Sequence, residues 1–271
     1  MAGHGAAAPG KKSEYFFTLE NKIYKENFRR VEKAMKILKA SLKKIGVINV
    51  LIVLLLAIAW VLIGINDTMD VINAISGNPI YKGSADKREV ALTINVVWGD
   101  EYIEPMLDIL AKENVKATFF IGGKWAEDST ELLMKIVNAG HEIGNHGYSH
   151  EHMSKLSYEK NVEQIKKSAE AIFNKCGIAP ILFAPPYGEF NDTTLKAASD
   201  LGCTTIMWSV DTIDWRGDGV NAIIGRIKKN CHDGAIILAH PTADTIKALP
   251  EIISFVKESG RSFTTVGELL K

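Results

Sequence analysis

The hydropathy pattern divides the chain into two unlike parts. From Ile45 to Ile65 the residues are apolar except for Asn49, and none is charged. At about 1.5 Å per residue this run covers about 30 Å, the hydrocarbon thickness of a bilayer, and predicts one transmembrane helix. It lacks the polar face of a core helix, and Ile63-Gly64-Ile65-Asn66-Asp67 offers no small-residue cleavage site of the signal-peptide kind. Beyond Arg88 short apolar runs predict strands at Val90–Val97, Lys116–Ile121, His141–Ile143, Ile181–Ala184, Thr204–Trp208, Ala235–Ala239 and Ser262–Val266. Helical periodicity fills most gaps between them, at Ile103–Glu113, Thr130–Ala139, Tyr158–Lys175, Asp192–Leu201, Val220–Asn230 and Ile246–Glu258. This alternation predicts an α/β domain with a parallel sheet, and its length favours barrel-like closure over an open, doubly wound sheet.

Four regions follow: a basic, partly helical segment over 1–44, the span 45–65, a stalk over 66–88 and an outer domain over 89–271. Eleven basic residues against four acidic ones between Lys11 and Lys44, with Asp67 and Asp70 beyond the span, predict a cytoplasmic N-terminus and an outer domain across the membrane. Val31, Met35, Leu38 and Leu42 recur at helical spacing, a stripe suited to the inner leaflet or to a second copy of the chain. The charge of the whole chain is zero, so nothing argues for a nucleic-acid partner. Three irregularly spaced cysteines exclude a disulfide framework and a zinc-thiolate cluster.

Chemistry-bearing residues gather after the predicted strands, where a parallel barrel presents its active-site loops. His146 and His150 in Asn145-His146-Gly147-Tyr148-Ser149-His150 have the spacing of two imidazoles that converge on one metal ion. His141 reads as structural support, and His152, His232 and His4 as surface residues. In Phe183-Ala184-Pro185-Pro186-Tyr187-Gly188 the prolines fix a rigid turn that presents the Tyr187 N–H as an oxyanion donor. Asp211 and Asp214 lie between Trp208 and Trp215, where a structural role as helix caps competes with catalysis, and His240 stands at a strand end as a general acid. No Gly-x-Gly-x-x-Gly follows a strand and no His-Glu-x-x-His is present, which counts against dinucleotide binding and a zinc peptidase.

In their order, His-x-x-x-His, Pro-Pro-Tyr-Gly, Asp-x-x-Asp-Trp and Leu-x-His, these motifs make residues 89–271 resemble the polysaccharide deacetylases, the NodB-homology group or carbohydrate esterase family four. The resemblance implies a distorted (β/α) barrel that binds a divalent metal, usually zinc, through His146 and His150. It implies an oxyanion donor at the Tyr187 N–H, a protonating acid at His240 oriented by Asp211, and a substrate groove lined by Leu238, Trp215 and Pro186. The implied substrate is an N-acetylated cell-envelope glycan, with peptidoglycan foremost, as in wall-modifying and sporulation-associated members.

The first motif departs from that pattern. Where the family has Thr-Phe-Asp-Asp-Gly-Pro, this chain reads Thr93-Ile94-Asn95-Val96-Val97-Trp98, which sets Asn95 at the general base and Val96 at the third metal ligand. An amide is no general base, and loss of such a base typically costs about 10²- to 10⁴-fold. Ala184 stands where the family carries an Arg that pairs with the base. Asp100 and Glu189 are the nearest candidates to replace the missing carboxylate. Two functions are therefore expected: a membrane-anchored, metal-dependent deacetylase with a divergent site, or a glycan-binding or scaffold protein of the same fold, in which Trp98, Trp215 and Tyr187 stack on sugar rings.

Overall fold

The computed structural model describes residues 29–33, 35, 36 and 77–271. The chain divides into two units, Met1–Met69 and Asp70–Lys271. In the first, the described residues are helical, with Val31 and Met35 exposed. The expected span 45–65 lies outside the described residues, and among those residues no helix is long and apolar enough to cross a membrane.

The second unit is a curled, all-parallel sheet of eight strands flanked by helices, the half-barrel form of the expected α/β closure. Its elements are β1 (Glu89–Val96), α1 (Asp100–Lys112), β2 (Thr118–Ile121), α2 (Gly123–Asp128), α3 (Thr130–Asn138), β3 (Glu142–Asn145), α4 (Tyr158–Cys176), β4 (Leu182–Phe183) and α5 (Asp192–Asp200). After these come β5 (Thr204–Thr205), β6 (Val210–Asp211), α6 (Val220–Asn230), β7 (Ile236–Ala239), α7 (Ala243–Glu258), β8 (Ser262–Thr264) and α8 (Val266–Leu269). The strand order is β5-β4-β3-β2-β1-β7-β6, with β8 also paired to β1.

β1 is the hub because its residues from Val90 onward are all buried, as a strand covered on both faces requires. Val90, Leu92, Ile94 and Val96 point into the layer between sheet and helices, where they meet Ile103, Met106 and Leu110 of α1 and Ile252 and Ile253 of α7. The alternate residues Ala91, Thr93 and Asn95 belong to the other face, where Ala91 packs with Phe120 and Ile236.

Most predicted elements fall within a few residues of their observed bounds. The two-residue strand β6 was not anticipated, and neither was α2; the last predicted strand ends at Thr264, and Val266 opens α8. The stretch read as a stalk is described from Gly77, and part of it is built into the domain. Ile80 N–H donates to Thr205 O and Met207 N–H to Ile80 O, while Gly83 N–H donates to Gly234 O. This segment fills the seam between β5 and the start of β7.

Candidate functional site

The strand ends open into a cavity of about 470 Å³ lined by Asn95, Val97, Trp98, His146, His150, Tyr187, Gly188, Trp208, Asp211, Trp215, Leu238 and His240. Its size suits a small ligand or one or two sugar rings. Of the residues expected at the site, Asn95, His146, His150, Tyr187, Asp211, Trp215, Leu238 and His240 all lie here. Pro186 does not: it is buried against the turn at Gly147 and supports the loop from below.

His146 follows β3, and its backbone N–H continues the ladder to Ile121 O. Its Nδ1–H donates to Ala184 O at 2.7 Å, which fixes the tautomer and leaves Nε2 free. His150 reaches the same place through a turn in which Gly147 and His150 itself adopt left-handed backbone (φ 72° and 57°). The two ring centroids are 5.1 Å apart. Burial first, then the neighbouring His150 charge, push the His146 imidazole down to about 3; burial and the charges of His240 and His152 lower His150 too. Both are neutral rings near pH 7. Tyr187, also left-handed at φ 59°, stacks on His152 at 4.2 Å and tilts against His150 at 4.4 Å. His152 was read as a surface residue; its Nδ1 lies 3.0 Å from Glu189, so it braces the rim of the site.

The orienting carboxylate of His240 is Asp214, which corrects the assignment to Asp211. Asp214 is buried and accepts from His240 Nδ1 and His240 N–H, both at 2.7 Å, and from Thr245 Oγ1 at 2.6 Å. Burial alone would raise its pKa, but the bonds and charge of His240 and the Thr245 hydroxyl outweigh it and hold the carboxyl below its ordinary value. Asp211 faces the cavity and spends one oxygen on Ile213 N–H at 2.7 Å. Spacing could not choose between the two aspartates, since both follow the same predicted strand, Thr204–Trp208.

Neither candidate replacement carboxylate lines the cavity. Asp100 accepts from Trp125 Nε1 at 2.6 Å and Ser129 Oγ at 2.5 Å, and so ties α1 to α2 and α3. Glu189 is taken up by His152 and Ser154. The Val96 side chain lies in the helix-facing core, and it is Val97 that lines the cavity. The buried Asn95 Oδ1 has no hydrogen-bond partner.

The implied divalent metal would have to be held by His146 and His150. Among the described residues no three His, Cys, Asp or Glu side chains come together to hold an ion. His146, His150 and Asn95 offer two neutral imidazoles and an orphaned amide oxygen, and Asp211, a carboxylate on the same cavity, does not come together with the two imidazoles, where hydrolytic zinc sites have three protein ligands. The donor set does not fit a resident metal.

A family model described as polysaccharide deacetylase matches residues 82–206. The peptidoglycan-N-acetylglucosamine deacetylase of Bacillus cereus is 36% identical over 196 residues, covering 70% of this chain and 71% of the relative. This chain belongs to the polysaccharide deacetylase family. An uncharacterised protein, YlxY of Bacillus subtilis, is 44% identical over 199 residues, 73% of this chain; the match spans 62% of that relative's length. Among solved structures, a family pseudoenzyme from Bacillus anthracis superposes with a TM-score of 0.71 at 42% identity, covering 72% of this chain and 69% of that one. A mutant of the same protein is described as having restored enzymatic activity. Deacetylases of the family are generally metal-dependent, which sets the donor set of this chain apart from theirs.

Proposed function

We propose that the outer domain binds N-acetylated glycan of the bacterial wall, peptidoglycan foremost, and does not hydrolyse it at the rate of its deacetylase relatives. One observation carries this reading. Asn95, an amide, lines the cavity where a base is needed, with its buried Oδ1 unpartnered, and neither Asp100 nor Glu189 stands in for it. The likeness to a pseudoenzyme supports it. The apolar lining supports binding: Trp98, Trp208, Trp215, Tyr187 and Leu238 give a wall for sugar faces and an acetyl methyl, and His240, whose Nδ1–H is held by Asp214, leaves Nε2 as an acceptor for a sugar hydroxyl. That His240–Asp214 pair is also the observation favouring hydrolysis, yet it supplies only the acid, and an amide bond needs an activated water as well. Zinc, the ion implied by the resemblance, finds two neutral imidazoles, His146 and His150, and binds far below one ion per chain. The run 45–65 supports a single membrane anchor with the N-terminus in the cytoplasm, which concentrates the domain at the wall.

The test compares the full chain with an active relative on chitooligosaccharides and peptidoglycan fragments. The expected result is saturable binding by calorimetry, acetate release at least about 10²-fold below the relative with or without added zinc or cobalt, and sedimentation with membranes from cells. Metal-dependent acetate release at the relative's rate would overturn the binding reading in favour of hydrolysis. Absence of binding to every N-acetylated glycan would sink both.

A further inference from the structure

The sheet is all parallel and the cavity opens at the strand C-termini, so the connections from helix to strand lie at the opposite end of the second unit. There the last turn of α4 and the connections to β4 and β5 leave Phe173, Ile181 and Leu201 exposed, at 53%, 68% and 36%. The three surround one shallow groove floored by Ile165 and Cys203. A single exposed apolar residue is ordinary, but three around one groove form a patch that asks for a partner. The chain enters the unit at this same end. Ile80 lies parallel beside Ile206, so the residues before it run alongside the start of β5, and Gly77 sits against Ser199 in the last turn of α5. Eleven residues, 66–76, separate Gly77 from the apolar run 45–65. Fully stretched they reach about 40 Å, which is about the width of a domain of this size. Turning the cavity end towards a membrane would draw that tether to its limit, whereas turning the patch end towards it leaves the tether slack.

We infer that the patch of Phe173, Ile181 and Leu201 docks on the surface of the lipid bilayer and so holds the cavity mouth facing away from the membrane. The inference rests on the membrane-anchor reading above and adds an orientation to it. Apolar side chains that enter the boundary between headgroups and acyl chains recover the burial they lack in water. Tethering keeps the patch at high effective concentration, so a contact too weak to recruit a free protein is enough. Lys112, Lys175 and Lys229 close helices at the same end, have no ion-pair partner among the described residues, and suit anionic headgroups. Lysines favour helix C-termini in any protein, so the apolar patch and the short tether carry the argument more than the charge does. A mouth held a domain's width above the lipid meets glycan of the wall before any sugar carried on a lipid.

The experiment places the full chain in vesicles of phosphatidylcholine with about one-third phosphatidylglycerol, with photoreactive benzoylphenylalanine in place of Phe173, Ile181 or, at the cavity mouth, Trp215. Resistance to an alkaline carbonate wash reads the anchor by itself, and thermal melts verify folding. After irradiation, lipid adducts from positions 173 and 181 are expected at least about fivefold more often than from 215, as a docked patch requires. Equal yields at the three positions, no lipid adducts, or adducts to a second copy of the chain in place of lipid would overturn the inference and leave the anchor standing. A chain stripped off by carbonate would strike the anchor and the inference with it. Should a probe variant fail to fold, the wild-type chain in nanodiscs decides the matter. A nitroxide-bearing lipid should broaden the methyl signals of Ile181 and Leu201 before those of Val97 at the cavity, and the reverse order or no difference overturns the docking.

Discussion

Neighbouring residues at the end of β1 send their side chains to opposite faces, and this alternation gives Val96 and Val97 different fates. Val96 is sealed among the helices, whereas Val97 borders the cavity beside Asn95. A carboxylate placed at 96 would be buried without a partner, at a cost of several kcal/mol. We therefore expect Val96→Asp to lower the urea midpoint by the equivalent of about 3 kcal/mol or more. Val97→Asp should be tolerated within about 1 kcal/mol, and Asn95→Asp with Val97→Asp should raise zinc retention above wild type after gel filtration. If Val96→Asp proves as stable as wild type, the facing of β1 is misassigned. His146, His150 and His240 were legible in the sequence because each follows a strand and their spacing has few competing explanations. The true partner of His240 was not, because Asp211 and Asp214 differ only in which way a three-residue turn points them.

Strands and helices were legible where burial imposes a period. The mostly apolar β1, buried from Val90 onward, and the amphipathic α4, opened by a Ser157 cap that accepts from Lys160 N–H and closed by Gly177, leave little choice. β6 is two residues long and α8 four, too short for any period to show. Support between elements has a pH signature. His141, at the start of β3, accepts the Ala117 N–H on Nδ1 at 3.2 Å and packs on Phe119, which locks the neutral ring in place. Burial, then the Lys116 charge, lowers its pKa to about 4 from an ordinary 6.5. In the unfolded chain His141 takes up a proton below its ordinary pKa while the folded chain refuses it, so the stability it contributes is complete above 6.5 and drains away as pH falls towards 4. The slope from one such group reaches about 1.4 kcal/mol per pH unit. Chemical denaturation from pH 7 to 4 should show it, and His141→Gln, which keeps an acceptor without the titration, should flatten the curve. An unchanged slope in that variant would mean the ring is protonated in the fold.

At the scale of the molecule, the half-barrel is completed by a segment that composition assigned to a stalk. Gly77-Asn78-Pro79 and Lys82-Gly83-Ser84 read as linker punctuation, and nothing in their local pattern shows that Ile80 packs against the inner core beside Ile206. Such pairing is non-local, so no window of sequence contains it. Ile80→Asp should accordingly lower the stability of the whole second unit, by about 2 kcal/mol or more, in one cooperative transition; a melt like that of wild type would show the seam to be idle. The same view of the molecule bears on the surviving half of the chemistry. Asp214 joins the tip of β7 to the first turn of α7 through Thr245, so its removal would leave three donors stranded in the interior. A protein that had abandoned turnover would still be bound to retain this carboxylate for the sake of folding, so the acid pair by itself does not separate a hydrolase from a binder.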